Sequence, residues 1–368
     1  MFHLAYRRLW RAPTEGLQHA VLVKDEVHLT HAHGLTAVAR TTGQARWHAQ
    51  GWRGLGPGAP GLALDSRGRL HRRDASARWC RPDLPPPRRV TPLHTGDWLL
   101  QHDDGLEVVD ALSGAPRWAA DPAYGRLLGV AQGADGLWIL AEDRVLRRLS
   151  PSDGAVEIRV PLAGPPSAGP VCDGAHVWIL DAQRGRHALW ALGPDGGTLW
   201  RHDLGEAPLD RPRRLGDLLV VPTGDPGAPR LVALDPITGA VAWRVSIPGG
   251  PTPPRLLRAG VRVLAKGLDG STAAFNADGG DVSWALPPDD PDGVVTHNPP
   301  PLACRGIVLV AAATVRAVDP ATGRLVHTLD AGGLLPDRID VWPDGDVLIS
   351  EREGAAFFAL EGHLALVG

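Results

Sequence analysis

The sequence predicts an all-β chain, a single β-propeller of four-stranded blades, and three observations carry that reading. An eleven-residue frame, read as strand end, tight turn and returning strand, recurs along the chain. Its copies follow a period near forty residues, the mark of a repeat architecture. A second short apolar run precedes each copy, which supplies the strand signals of a propeller blade.

The frame is clearest at Ala233 to Trp243, ALDPITGAVAW, where Asp235, Pro236, Thr238 and Gly239 are turn formers and Val241 and Trp243 alternate after them. Ala37 to Trp47 and Ala274 to Trp284 keep Ala first, Gly seventh and Trp last. Val108 to Trp118 keeps the Gly and the Trp, and Ala317 to His327 keeps the Ala and the Gly. Degenerate copies follow at Arg148 to Ile158, with Ile158 in the Trp place, at Ala191 to Trp200 and at Asp74 to Trp79. The residues that close the frame, at 47, 79, 118, 158, 200, 243, 284 and 327, are too evenly spaced for chance.

Each frame position has a physical reason. Gly43, Gly114, Gly154, Gly239, Gly280 and Gly323 supply the positive φ of the turn. Trp47, Trp79, Trp118, Trp200, Trp243 and Trp284 are expected to lie at the seams between blades against small residues. An aromatic buried there removes about 150–250 Å² from water. These glycines and tryptophans are the expected blade-docking residues.

The inner-strand signals are short apolar runs such as Trp138-Ile139-Leu140, Trp178-Ile179-Leu180, Leu218 to Val221 and Ile307 to Val310, bounded by Gly and Asp. Nine such runs can be counted, the last at Val347-Leu348-Ile349 without a Trp frame. Residues 1–16 form an N-terminal strand or extension, and the strand signal at Leu4 to Leu9 is placed to complete the ring; residues 17–368 form the propeller. The bare count allows nine blades.

This Ala, Asp, Thr-Gly, Trp frame resembles the pyrroloquinoline-quinone-type propeller repeat family, over residues from about 26 to 327. Family precedent favours eight blades. The resemblance implies two kinds of function. Quinone-dependent dehydrogenases of the family hold pyrroloquinoline quinone with calcium at the ring centre, with an adjacent Cys pair and a catalytic Asp. Here Cys80, Cys172 and Cys304 lie in different repeats, and no Asp or Glu matches the calcium or catalytic positions. Other members, such as the propeller scaffold of the outer-membrane barrel-assembly machinery, carry no cofactor and present loops to partner proteins. The chain is similar to that second group in size and motif. The expected function is therefore a non-catalytic interaction scaffold, binding other proteins through its propeller-face loops within a larger cytoplasmic assembly. The alternatives are a quinone- or metal-dependent oxidoreductase and a ligand-sensing propeller.

Composition narrows the classes further. No apolar run reaches the roughly 18 residues of a membrane span. Met1 to Pro13 carries Arg7, Arg8 and Arg11 without a following apolar stretch or a lipid-accepting Cys, so a cytoplasmic location is expected. Three cysteines without close pairs argue against disulfides and Cys-based zinc, and each reads as a small buried hydrophobe. Charge is uneven: residues 1–90 are net +9 and residues 91–368 net −12, so one arc of the ring should be basic. That arc reads either as an interface for an acidic partner or as arginine-rich composition.

Candidate chemistry is sparse. His28, His31 and His33 offer imidazoles at strand spacing, with no carboxylate partner fixed by spacing; a polar strand end accounts for them. The linker Pro287 to Pro301 is longer than a connection needs, and its Asp289, Asp290, Asp292, His297 and Asn298 form the candidate interaction loop. It lacks the terminal Glu of a calcium-binding helix-loop-helix. His102-Asp103-Asp104 reads as a turn before Gly105. No Ser lies in a nucleophile elbow and no Gly-Lys-Ser/Thr loop is present, so no catalytic or cofactor residue is assigned. Nucleic acid is not an expected partner, because Trp47 and Trp79 of the basic segment belong to the docking frame rather than to an exposed stacking surface.

Overall fold

In the computed structural model, the residues described are 5–14, 16–55, 59–73, 78–81, 86–102, 105–120, 124–183, 185–247, 254–288, 298–330, 336–342, 344–351 and 354–361. They form nine antiparallel four-stranded sheets, which are the blades of a propeller. Blades 1 to 8 follow the chain as residues 19–50, 53–81, 89–120, 127–161, 171–203, 213–246, 255–286 and 302–329. Blade 6 is representative, with strands Arg213–Leu215, Leu218–Asp225, Ala228–Leu234 and Val241–Ser246 running from the ring axis outward. Blade 9 takes its three inner strands from residues 338–361 and its outer strand, Ala5–Pro13, from the other end of the chain.

That closure explains the count. The ninth inner run, Val347-Leu348-Ile349, is the second strand of blade 9 and has no frame after it because the outer strand is supplied by residues 5–13. Counting frames gives eight; counting inner runs gives nine, and nine is the number of sheets.

Second strands are buried on both faces, as their unbroken apolar runs require: Leu219, Val220 and Val221 are fully enclosed, as are Ile139 and Leu140. The frame then builds the outer hairpin. In blade 6 the Gly239 amide donates to the Asp235 carbonyl at 2.9 Å, and the Asp235 amide donates across to Ala240 at 2.8 Å. The Asp235 carboxylate accepts from the Ile237 and Thr238 amides, both at 2.8 Å. The Thr238 amide first, then that of Ile237, holds its carboxyl below the usual carboxylate range. Asp110 makes the same turn in blade 3 with Leu112 and Ser113. The first and last frame residues are direct cross-strand partners: Ala37 with Trp47, Ala191 with Trp200, Ala233 with Trp243 and Ala274 with Trp284. A bulge immediately after the small residue turns the hairpin.

The tryptophans do not pack on the glycine of their own frame. Each reaches the turn of the next blade. Trp10 lies on Gly43, Trp79 on Gly114, Trp118 on Gly154, Trp200 on Gly239, Trp243 on Gly280 and Trp284 on Gly323. A Cβ on any of these glycines would stand 2.5 to 2.9 Å from an indole carbon, and all six have φ between 68° and 76°. Each indole N–H also donates to the carbonyl three residues before that glycine, at 2.6 Å for Trp10 and Trp243 and 2.9 to 3.1 Å for the other four. Ile158, which fills the Trp place in blade 4, packs in the same way on Gly196.

Trp47 departs from this pattern. Its indole N–H donates to Glu26 of its own blade at 3.2 Å, and its ring meets His28 edge-on at 5.0 Å. Gly68 belongs to the turn between the second and third strands of blade 2 and faces Pro86; the turn between its third and fourth strands, residues 74–77, lies outside the described residues. Among the described residues, buried apolar clusters span the other eight seams, and none spans blades 1 and 2.

Candidate functional site: the two faces of the ring

A propeller offers two faces and a central channel. All inner strands run in one direction, so they begin on one face, here the head face, which also carries the turns between second and third strands. The opposite turn face carries the turns between first and second and between third and fourth strands.

The faces differ in chemistry. Among the described residues eight large apolar side chains are exposed, and seven belong to the turn face: Leu112, Leu199, Ile237, Val241, Val261, Val282 and Leu325. Each lies in, or within two residues of, a turn on that face. Ile237 is 66% exposed and Val261 62%. Six of the seven belong to the consecutive blades 5 to 8. Leu112 and Ile237 hold the fifth position of the frame, and Val241, Val282 and Leu325 open their outer strands. A groove on this face is lined by Gly260, Val261, Arg262, Arg305 and Pro320, between blades 7 and 8.

The head face is polar. Inner strands begin on His19, Arg53, Arg89, Arg213, Arg255 and Arg338, and in the other three blades on Leu127, Val171 and Leu302. Burial, then the neighbouring Arg338 and Arg53, push the His19 imidazole below its ordinary value. Burial, with Arg211 and Arg255 nearby, lowers Arg213 against the opposing pull of Asp210. Arg338 donates to Asp340 at 2.6 Å, and Arg255 stands 3.7 Å from Asp210.

Of the candidate loop, Asp289, Asp290, Asp292 and His297 lie outside the described residues. Asn298 is described, at the base of the loop on the head face. Its side-chain oxygen accepts from the fully buried Lys266 at 2.6 Å, and its backbone carbonyl accepts from Arg255 at 3.0 Å. Sequence reasoning did not single out Lys266; its signal is that it is one of two lysines in a chain that otherwise uses arginine.

The histidines of the sequence motif gather within blade 1. His28 is buried beside Glu26 at 3.2 Å, while His31 bonds Thr36, which in turn bonds His48, both at 2.9 Å. The His31 and His48 rings stack at 5.7 Å, and the His33 amide donates to His31 Nδ1 at 3.3 Å. Burial, His48 and His33 together lower the His31 imidazole. No group of three or more His, Cys, Asp or Glu able to hold a metal occurs among the described residues.

Among the described residues the channel mouth on the head face does not offer the converging carboxylates that the quinone with calcium needs; five of the nine inner strands begin there on arginine. Cys80, Cys172 and Cys304 are free and in separate blades. Cys80 corrects its expected burial: it lies exposed on the short outer strand of blade 2, with Sγ 3.6 Å from His71. Cys304 is buried, 3.4 Å from the Tyr6 hydroxyl, and burial raises both groups above their ordinary values. His102 closes its turn by bonding Gly105 through its amide at 2.9 Å. No helix among the described residues is long and apolar enough to cross a membrane.

Comparisons with known proteins place this geometry. Residues 185–333 match the family described as outer membrane protein assembly factor BamB. No curated protein sequence matches. Among solved structures, BamB from Moraxella catarrhalis is similar at a TM-score of 0.58 and 16% identity, covering 98% of this chain and 99% of that one. The computationally designed Ika8 protein gives 0.58 at 13% identity, covering 96% and 98%, and the Dos1 propeller gives 0.57 at 10%, covering 96% and 95%. At such identities the likeness concerns the fold. Its frame, its seams and the match over residues 185–333 make the chain similar to the pyrroloquinoline-quinone-type propeller repeat family.

Proposed function

We propose that this protein is a non-catalytic interaction platform that docks another protein on the turn face of blades 5 to 8, within a larger cytoplasmic assembly. The observation that carries this reading is the gathering of exposed apolar side chains on one face. Apolar residues scattered singly need no explanation, but seven of eight on a single face, six of them in four adjacent blades, mark a surface that gains by being covered. The same stretch matches a family described as an assembly factor, which supports a role in holding partners together. No cofactor is required for this work.

The test is affinity capture from the native host, followed by identification of what is retained, with wild type compared with Ile237→Glu and Val261→Glu. Both positions are exposed, so stability should change by no more than about 0.5 kcal/mol. Loss of a specific partner in the variants supports the reading. Identical capture by wild type and both variants would remove the turn face from consideration.

A further inference from the structure

The head face carries a second surface. Going round the ring, blades 9, 1, 2 and 3 begin their inner strands on Arg338, His19, Arg53 and Arg89, three arginines and one histidine at one mouth of the channel. The interaction of His19 with both Arg338 and Arg53 places these three together across two seams. Among the described residues, Arg53 and Arg89 have no ion-pair partner, whereas Arg338 has Asp340. Like charges brought together without counter-charges repel, and an anion between them relieves that repulsion.

We propose that this mouth binds an extended acidic segment of a partner protein, its carboxylates on alternate residues. The proposal rests on the platform reading for the existence of a partner, but uses the other face. Charge and reach select the ligand. Alternate side chains of an extended chain repeat at about 6.5–7 Å, so an extended segment carries carboxylates past several blades of the arc. One compact anion would reach only one or two of the four. Single-stranded nucleic acid has similar spacing but relies on aromatic stacking, and none of these four positions holds Trp, Tyr or Phe.

The experiment measures binding of a labelled peptide of about ten residues, alternating Glu and Ser, by fluorescence anisotropy. A Lys-Ser peptide and a single-stranded oligothymidylate of equal length are run alongside. The Glu-Ser peptide should bind wild type with an affinity that falls with salt, and the Arg53→Glu/Arg89→Glu variant should bind at least about tenfold more weakly. Arg324→Glu, on an exposed turn of blade 8, should bind as wild type does. Thermal melting checks that each variant is folded. Proton NMR should show the His19 titration midpoint moving up when the peptide is bound. No binding by folded wild type, equal weakening by Arg324→Glu, or oligothymidylate bound as tightly as the peptide would each overturn the inference. The capture experiment with Ile237→Glu and Val261→Glu reads the turn face separately, so either idea can fail while the other stands.

Discussion

The seam between blades 6 and 7 and the seam between blades 1 and 2 solve the same joining problem with opposite chemistry. At the first, Trp243 is 6% exposed, lies on Gly280, bonds the Ala277 carbonyl and anchors a cluster with Leu231, Val263 and Phe275. At the second, the Gly54 amide donates to the Thr30 hydroxyl at 3.1 Å, and Trp47 stays with its own blade, edge-on to the buried His28. A closed ring does not need every joint to be equally strong. One joint held by polar contacts concentrates local opening there, because few apolar contacts resist it.

The largest expected effect is at the apolar seam: Trp243→Ala should cost about 3–5 kcal/mol, read as a drop in denaturant midpoint. Gly280→Ala should cost about 1–3 kcal/mol, since the residue has φ of 76° and its Cβ would stand 2.9 Å from the indole. Trp47→Ala is the discriminating partner: a half-buried ring on a polar seam should cost roughly 1–2 kcal/mol. A Trp47→Ala loss equal to that of Trp243→Ala would erase the distinction between the seams.

Acid gives the smallest effect and the sharpest localisation. His31 is held below its ordinary value when folded, so the unfolded chain binds its proton more readily. Its contribution is complete above the unfolded pKa of about 6.5 and is lost as pH falls through the lower folded value. Wild type should therefore lose more melting temperature between pH 7.5 and 5 than His31→Gln does. Hydrogen exchange should quicken with acid in blade 1 around His31 and Thr36 before it does at Ala277.

The architecture was legible because the turn is local. Gly239 needs a positive φ and Asp235 caps its own amides, so both leave a mark within eleven residues of sequence. The pairing of Trp with Gly across blades was not legible in the same way, since the two belong to successive repeats. A signal did exist: each docking indole precedes the carbonyl it bonds by 30 to 36 residues, and Trp10 obeys this with Arg40. Trp47 fits the frame by eye, yet its indole N–H bonds Glu26 of its own blade. The channel mouth escaped notice for a different reason. Arg53, Arg89, Arg213, Arg255 and Arg338 are far apart in sequence, and ordinary in an arginine-rich chain until the ring brings their strands to one rim.

The strand Ala5–Pro13 has a consequence for biosynthesis. Its partner runs Gly354–Glu361, with Ala12 opposite Ala355, so this strand waits while the eight intervening blades are made. At about 5–20 residues per second that wait is on the order of tens of seconds, during which an unpaired edge and the Trp10 indole are open to other nascent chains. Chaperone demand should therefore persist until the ribosome delivers Gly354–Glu361.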